Sequence, residues 1–330
     1  MRHPGMNALV ARLGLKYPIV QAPTAMVAGA DVAMAVSEAG GLGAVGLTWT
    51  PPDAAHAVVS RMTHATSRAF VVNYVLTFDP VSLPAALDAG APIVQFSWGM
   101  PGRELVTAVR SRGAKLGIQV TSANGAREAL DLGADYLVCQ GTEAGGHVQG
   151  HRPLLDALRG VLAEAGGTPV VASGGIGNGV AIRRVLDAGA SAAMLGTRFV
   201  ATVESMAHAT YKGALVDADA DDTVLTVCFD GGWTNAPHRV LRNATFTRWE
   251  TDGCPPAGRR PGEGDVVAIV APDRQVMRYS MSAPSAATEG DVGAMALYAG
   301  MSVDAIRDLP RAGELLERLW RECVSIEPRL

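Results

Sequence analysis

The sequence predicts an α/β fold of the (β/α)8 TIM-barrel class with a cap region inserted after strand eight. Three observations lead there. A loose repeat of helix end, glycine and strand recurs, at 86–96, 129–138 and 185–195. Eight short, almost wholly apolar runs alternate with helical patterns. The last two of those runs end in glycine-rich turns. In each copy of the repeat the glycine (Gly90, Gly133, Gly189) follows the helix C-cap, where the left-handed backbone excludes most side chains. Repeated βα units imply parallel strands joined by right-handed crossovers.

Strands are expected at 19–23, 42–46, 69–74, 93–97, 115–120, 136–140, 169–173 and 192–196. Most are continuous apolar runs, as for strands covered on both faces. Between the first two, Val32, Val36 and Ala39 recur at helical spacing and Gly40 ends the helix. Between the last two, Ile182, Val185 and Leu186 share one helical face. Eight such units favour a closed barrel over an open doubly wound sheet. Past strand eight the chain turns rich in Pro, Gly, Asp and Thr, with strand-like runs at 224–229 and 266–269. Helical character is expected to return over 290–319. The organisation expected is a barrel core over 1–212, a cap region over 213–285 and C-terminal helices over 286–330 that complete the barrel.

Composition narrows the function. The chain has 330 residues, 48% of them hydrophobic and 18% charged, with a net charge of −4. Its Lys and Arg are scattered, without a basic stripe, so nucleic acid is not an expected partner. No apolar run reaches the roughly 18 residues of a membrane span, and the expected location is cytoplasmic. Cys139, Cys228, Cys254 and Cys323 lie far apart and form no metal or disulfide pattern. Asp217, Asp219 and Asp221 superficially suggest a calcium loop. Asp222 replaces its glycine and Cys228 its closing glutamate, so a solvated acidic loop is expected and no metal site.

The segment from Gln140 to His147 follows the sixth strand directly. In a barrel, that end of a strand carries the chemistry. Gly145 and Gly146 let a flat ligand approach the backbone, and an imidazole moves protons near neutral pH. Ser173, Gly174 and Gly175 close the seventh strand; Gly196 and Thr197 close the eighth. Paired loops at those positions commonly bind phosphate through backbone N–H groups, with hydroxyls as added donors. The glycines do not fit the Rossmann GxGxxG pattern. Among the other histidines, His151 is expected on the following helix, His56, His64 and His208 at the surface, and His238 within reach of the pocket. Tyr298 and Lys212 are further pocket candidates.

With these residues in hand, the chain resembles the nitronate monooxygenase family, the 2-nitropropane dioxygenase-like flavoproteins. The resemblance rests on Gln21-Ala22-Pro23, Gly40-Gly41-Leu42-Gly43, Val72-Asn73, the segment from Gln140 to His147, Ala172-Ser-Gly-Gly-Ile176, Gly196-Thr-Arg-Phe199 and Tyr298-Ala-Gly-Met-Ser302. It implies an FMN-binding barrel. By that resemblance Ala22, Pro23, Asn73 and Gln119 line the isoalloxazine ring, and Gly145 and Gly146 let it approach. Ser173, Gly174, Gly175, Gly196 and Thr197 hold the phosphate, and His147 is the catalytic base. Two departures fall on the substrate side. Thr24 stands where the family often has Met, and Met301 where it often has Gln.

The activity expected is FMN-dependent oxidation of alkyl nitronates, with nitroalkanes as further substrates, by O2 to a carbonyl compound and nitrite. Two other readings stay open. One is an NAD(P)H-dependent flavin reductase acting on quinones or enoyl thioesters. The other is a non-catalytic barrel that binds a phosphate ligand. Homo-oligomerisation stays open as well.

Overall fold

A computed structural model of the chain describes residues 6–270 and 273–326. Eight parallel strands form the barrel: β1 (Ile19–Gln21), β2 (Gly43–Gly46), β3 (Phe70–Val75), β4 (Ile93–Ser97), β5 (Lys115–Val120), β6 (Tyr136–Gln140), β8 (Val170–Ser173) and β9 (Ala192–Leu195). A two-residue strand, β7 (Gly146–His147), lies outside it. Pairing runs β1-β9-β8-β6-β5-β4-β3-β2, and a parallel bridge between Val20 and Leu42 closes the sheet. All eight expected strands form, with ends shifted by a residue or two.

Glycine placement explains the chain reversals. Gly90, Gly133 and Gly189 follow their helix C-caps with φ of +88°, +77° and +102°. Each turn delivers the chain directly into β4, β6 or β9. Two apolar layers result. Val20, Ala44, Val71, Ile93, Val138, Val171 and Met194 fill the barrel interior. Val45, Val72, Val94, Ile118, Leu137, Ala172 and Leu195 face outward against the helices. This alternation follows from the period of two along a strand. The interior is also shaped by Gly117, where a Cβ would stand 2.3 Å from the ring of Tyr136. The ring occupies that space, and its hydroxyl donates to Gln95 Oε1 at 3.1 Å.

The helical return expected over 290–319 begins only at Ala312. That stretch holds only two short 3₁₀ turns, Val292–Ala294 and Met301–Ala305, before a helix at Ala312–Ser325. Its backbone is engaged elsewhere: Gly300 N–H donates to Thr197 Oγ1 at 3.0 Å and Met301 N–H to Glu143 O at 3.0 Å. A helix there would break both bonds. Helix Ala312–Ser325 packs between Ala30–Ala39 and Gly179–Asp187, in the gap beside the closing strands.

Between the barrel and that helix lie two small antiparallel sheets. In one, β11 (His238–Leu241) pairs with both β10 (Thr223–Thr226) and β7. In the other, β12 (Val266–Val270) pairs with β13 (Arg274–Met277) and β14 (Thr288–Gly290). The acidic loop carries a local cap and an ion pair, with Asp219 bound to Arg307.

Candidate active site

A large cavity opens at the C-terminal ends of the barrel strands, with about 1300 Å³ of empty space including its open mouth. Small-molecule sites typically occupy roughly 300–1,000 Å³. The residues that the resemblance assigns to the flavin ring, its phosphate and the base all line it. Ala22 and Pro23 follow β1, Asn73 lies in β3, and Gln119 in β5. Gly145, Gly146 and His147 come from the loop after β6. Ser173, Gly174 and Gly175 come from β8 and its end, Gly196 and Thr197 from the end of β9. The convergence is a consequence of parallel strands: all eight present the same end.

The floor is polar and satisfied. Tyr136 donates to Gln95, and the Gln95 and Asn73 amides bond at 3.0 Å. Burial pushes the Tyr136 phenol well above its usual range, so it stays a protonated donor. Cys139, beneath this end of the barrel, is buried, and burial pushes its thiol up to about 12. It is a structural thiol, not a nucleophile.

The turn after β8 is shaped to receive an anion. Gly174 and Gly175 adopt φ of +123° and +65°, which side-chain-bearing residues rarely reach. At Gly175 a Cβ would also meet Glu143 Cβ at 2.8 Å. The amides of Gly175 and Thr197 donate to no protein group among the described residues. Helix Gly179–Asp187 begins just beyond, capped by the Asn178 side chain accepting from Ala181 N–H.

His147 sits on the opposite side of the loop, and the cap holds it. β7 pairs with β11, so His147 lies opposite His238, and Val148 N–H donates to Pro237 O at 2.8 Å. The His147 ring stacks on Trp233 at 4.2 Å between centroids. Among the described residues its buried Nε2 has no hydrogen-bond partner, nor has the Thr24 hydroxyl elsewhere on the wall. Burial, and secondarily the charge of His238, lower the His147 imidazole from 6.5 to about 3. The ring is therefore neutral near pH 7, against the unshifted titration expected from sequence.

His238 does not line the cavity. It is buried behind His147, with its Nε2 accepting from Phe229 N–H at 3.1 Å. Its Nδ1 therefore carries the proton and donates to Ala236 O at 2.9 Å. His151 is exposed in the bend before helix Leu154–Glu164, not on that helix. His56 and His64 are exposed, and the half-buried His208 caps helix Ala209–Asp217. Lys212 donates to the carbonyls of Thr202 and Ser205 at 2.7 Å each, a structural role. Tyr298 does line the cavity, as do Thr24 and Met26, while Met301 is exposed outside it.

Sequence reasoning missed Trp98, Trp233 and Gln149. The Gln149 carboxamide oxygen accepts from Trp98 N–H and from Gln119 Nε2, both at 3.0 Å. It ties the loop after β4 to the loop after β6. No periodicity or short motif marks any of the three.

The family model "Nitronate monooxygenase" matches residues 7–84 and 81–322. A nitronate monooxygenase of Pseudomonas aeruginosa is 31% identical, over 94% of this chain and 97% of its own. The solved nitroalkane oxidase from Streptomyces ansochromogenes is 34% identical with a TM-score of 0.77, covering 96% of this chain and 98% of that one. The structure of FabK from Thermotoga maritima is 28% identical with a TM-score of 0.79, covering 96% of each. Over almost its whole length this chain belongs to the nitronate monooxygenase family, and it is a flavin-dependent oxidoreductase.

Proposed function

We propose that the chain binds FMN and oxidises alkyl nitronates with O2, giving a carbonyl compound and nitrite. The observation that carries this reading is a neutral, half-buried His147 whose buried Nε2 has no partner among the described residues, on a cavity wall where no described Lys, Arg, Asp or Glu stands. FMN when bound supplies the acceptor for the substrate's electrons and passes them to O2.

The residues present fit that cofactor. Ser173, Gly174, Gly175, Gly196 and Thr197 would hold the phosphate through free amides and hydroxyls. Ala22, Pro23, Asn73 and Gln119 would line the ring, with Gly145 and Gly146 allowing close approach. His147 then faces the substrate. A neutral imidazole donates a hydrogen bond to a nitronate oxygen from Nε2–H, or accepts a proton there in the other tautomer. At about 3 its basicity is too low to take an α-proton efficiently from a neutral nitroalkane. A nitronate arrives without that proton, so it is the better substrate.

The test is anaerobic. FMN-loaded protein is mixed with ethyl nitronate, and in a separate cuvette with NADH or NADPH. Bleaching by the nitronate, followed by nitrite release on admitting air, supports the proposal. Bleaching by the nicotinamide alone would transfer the protein to the reductase reading.

A further inference from the structure

Beside His147 the cavity wall becomes aromatic. Trp233 stacks on His147 and meets Trp98 at 4.6 Å and 63°. Phe78 abuts Trp233 at 5.3 Å, and Trp49 abuts Phe78 at 5.3 Å. The series runs from the buried Trp233, 7% exposed, to Trp49 at the mouth, 41% exposed. Met26 and Met281 also line the cavity. Among the described residues, no Lys, Arg, Asp or Glu lines it.

The wall is held rigidly. Trp98 adopts φ +58°, an uncommon conformation for a bulky residue, and its N–H is bound to Gln149. The loop carrying Trp233 is anchored by a largely buried ion pair, Arg260 Nη1 to Asp230 Oδ1 at 2.7 Å, and Trp233 N–H donates to Asp230 O. Such preorganisation favours a ligand matching the wall's shape. Tryptophan rings offer broad apolar area with edge-to-face geometry, suited to another flat ring.

We propose that the substrate carries an aromatic ring beside its reactive carbon, seated against Trp98 and Trp233 with Trp49 at the entrance. The proposal rests on the nitronate reading for the reactive group only. The ring itself is inferred from the wall. A small alkyl nitronate would leave that wall without a partner. A dinucleotide's base could stack there too, but the anion turn that would take its diphosphate is the one assigned to the FMN phosphate.

The experiment uses FMN-loaded full-length protein under anaerobic conditions. Quenching of tryptophan fluorescence reports binding of phenylnitromethane nitronate and of ethyl nitronate, and flavin absorbance reports reaction. The phenyl compound is expected to bind at least tenfold more tightly. Trp233→Ala should bring the phenyl-to-ethyl affinity ratio towards one. Trp49→Ala, at an exposed position where folding is not at stake, should lower the ratio at least threefold. Equal affinities, or a ratio unmoved in both variants, would overturn the aryl site while leaving nitronate oxidation intact. Tight, ratio-sensitive phenyl binding without bleaching by either nitronate would support the aryl site and refute the reaction. Displacement of the phenyl compound by NADH at comparable affinity would overturn the proposal by giving the wall to a nucleotide base.

Discussion

Gly145→Ala tests the place where the loop after β6 meets its support. A Cβ there would lie 2.4 Å from Gly300 N, 2.7 Å from Ala299 C and 2.9 Å from Thr197 Oγ1. Two of these three are backbone atoms, so the 298–302 loop must retreat by about 1 Å to regain ordinary contact. Overpacking of this kind costs about 1–3 kcal/mol, which in a chain of this size lowers the melting temperature by roughly 1.5–4 °C. The retreat also pulls Gly300 N–H from Thr197 and opens the anion turn, so FMN affinity should fall about tenfold, or about 1.4 kcal/mol. The assay is a thermal melt with and without FMN. At 100 times the dissociation constant, a ligand stabilises by about 2.7 kcal/mol, and a tenfold weaker one by about half that. The FMN-induced rise in melting temperature should therefore halve. Gly160→Ala is the control. It lies inside helix Leu154–Glu164 with no heavy atom within 4 Å of its added Cβ, so it should stabilise by up to about 1 kcal/mol. A Gly145→Ala protein that melts with the wild type and keeps its full FMN response would refute the close-approach argument.

Three further outcomes are expected. Because His147 titrates near 3 when folded and near 6.5 when unfolded, only the unfolded chain gains that proton between those values. Stability should be full above pH 6.5 and decline as pH falls towards 3, by at most about 1.4 kcal/mol per pH unit from this group; urea melts at pH 7 and 5 should show a smaller decline in His147→Gln. Thr197→Val leaves the buried Gly300 N–H without its acceptor, at a cost of about 1–3 kcal/mol; an unchanged urea midpoint would show that the bond contributes nothing. Asp230→Ala removes the carboxylate partner of the largely buried Arg260 guanidinium, for an expected loss of about 1–3 kcal/mol and a red-shifted tryptophan emission as the Trp233 loop loosens; emission identical to wild type would separate the ion pair from the wall.

What the sequence determined by itself was local and periodic. Apolar runs of strand length, and glycines after helix ends at Gly90, Gly133 and Gly189, marked the barrel because each signal resides in a few neighbouring residues. The glycine turns after strands six, seven and eight were legible for the same reason, and barrel topology alone brings their ends to one face. The segment 290–311 misled because its backbone answers to Thr197 and Glu143, distant in sequence. Only the tertiary structure decided the rest. That His147 becomes a two-residue strand against β11, neutral and stacked on Trp233, depends on a cap strand about ninety residues away, beyond any local pattern. Trp98, Trp233 and Gln149 are isolated residues whose meaning comes from packing. The same holds for the shift of the His147 imidazole: burial sets it, and burial is a property of the assembled fold.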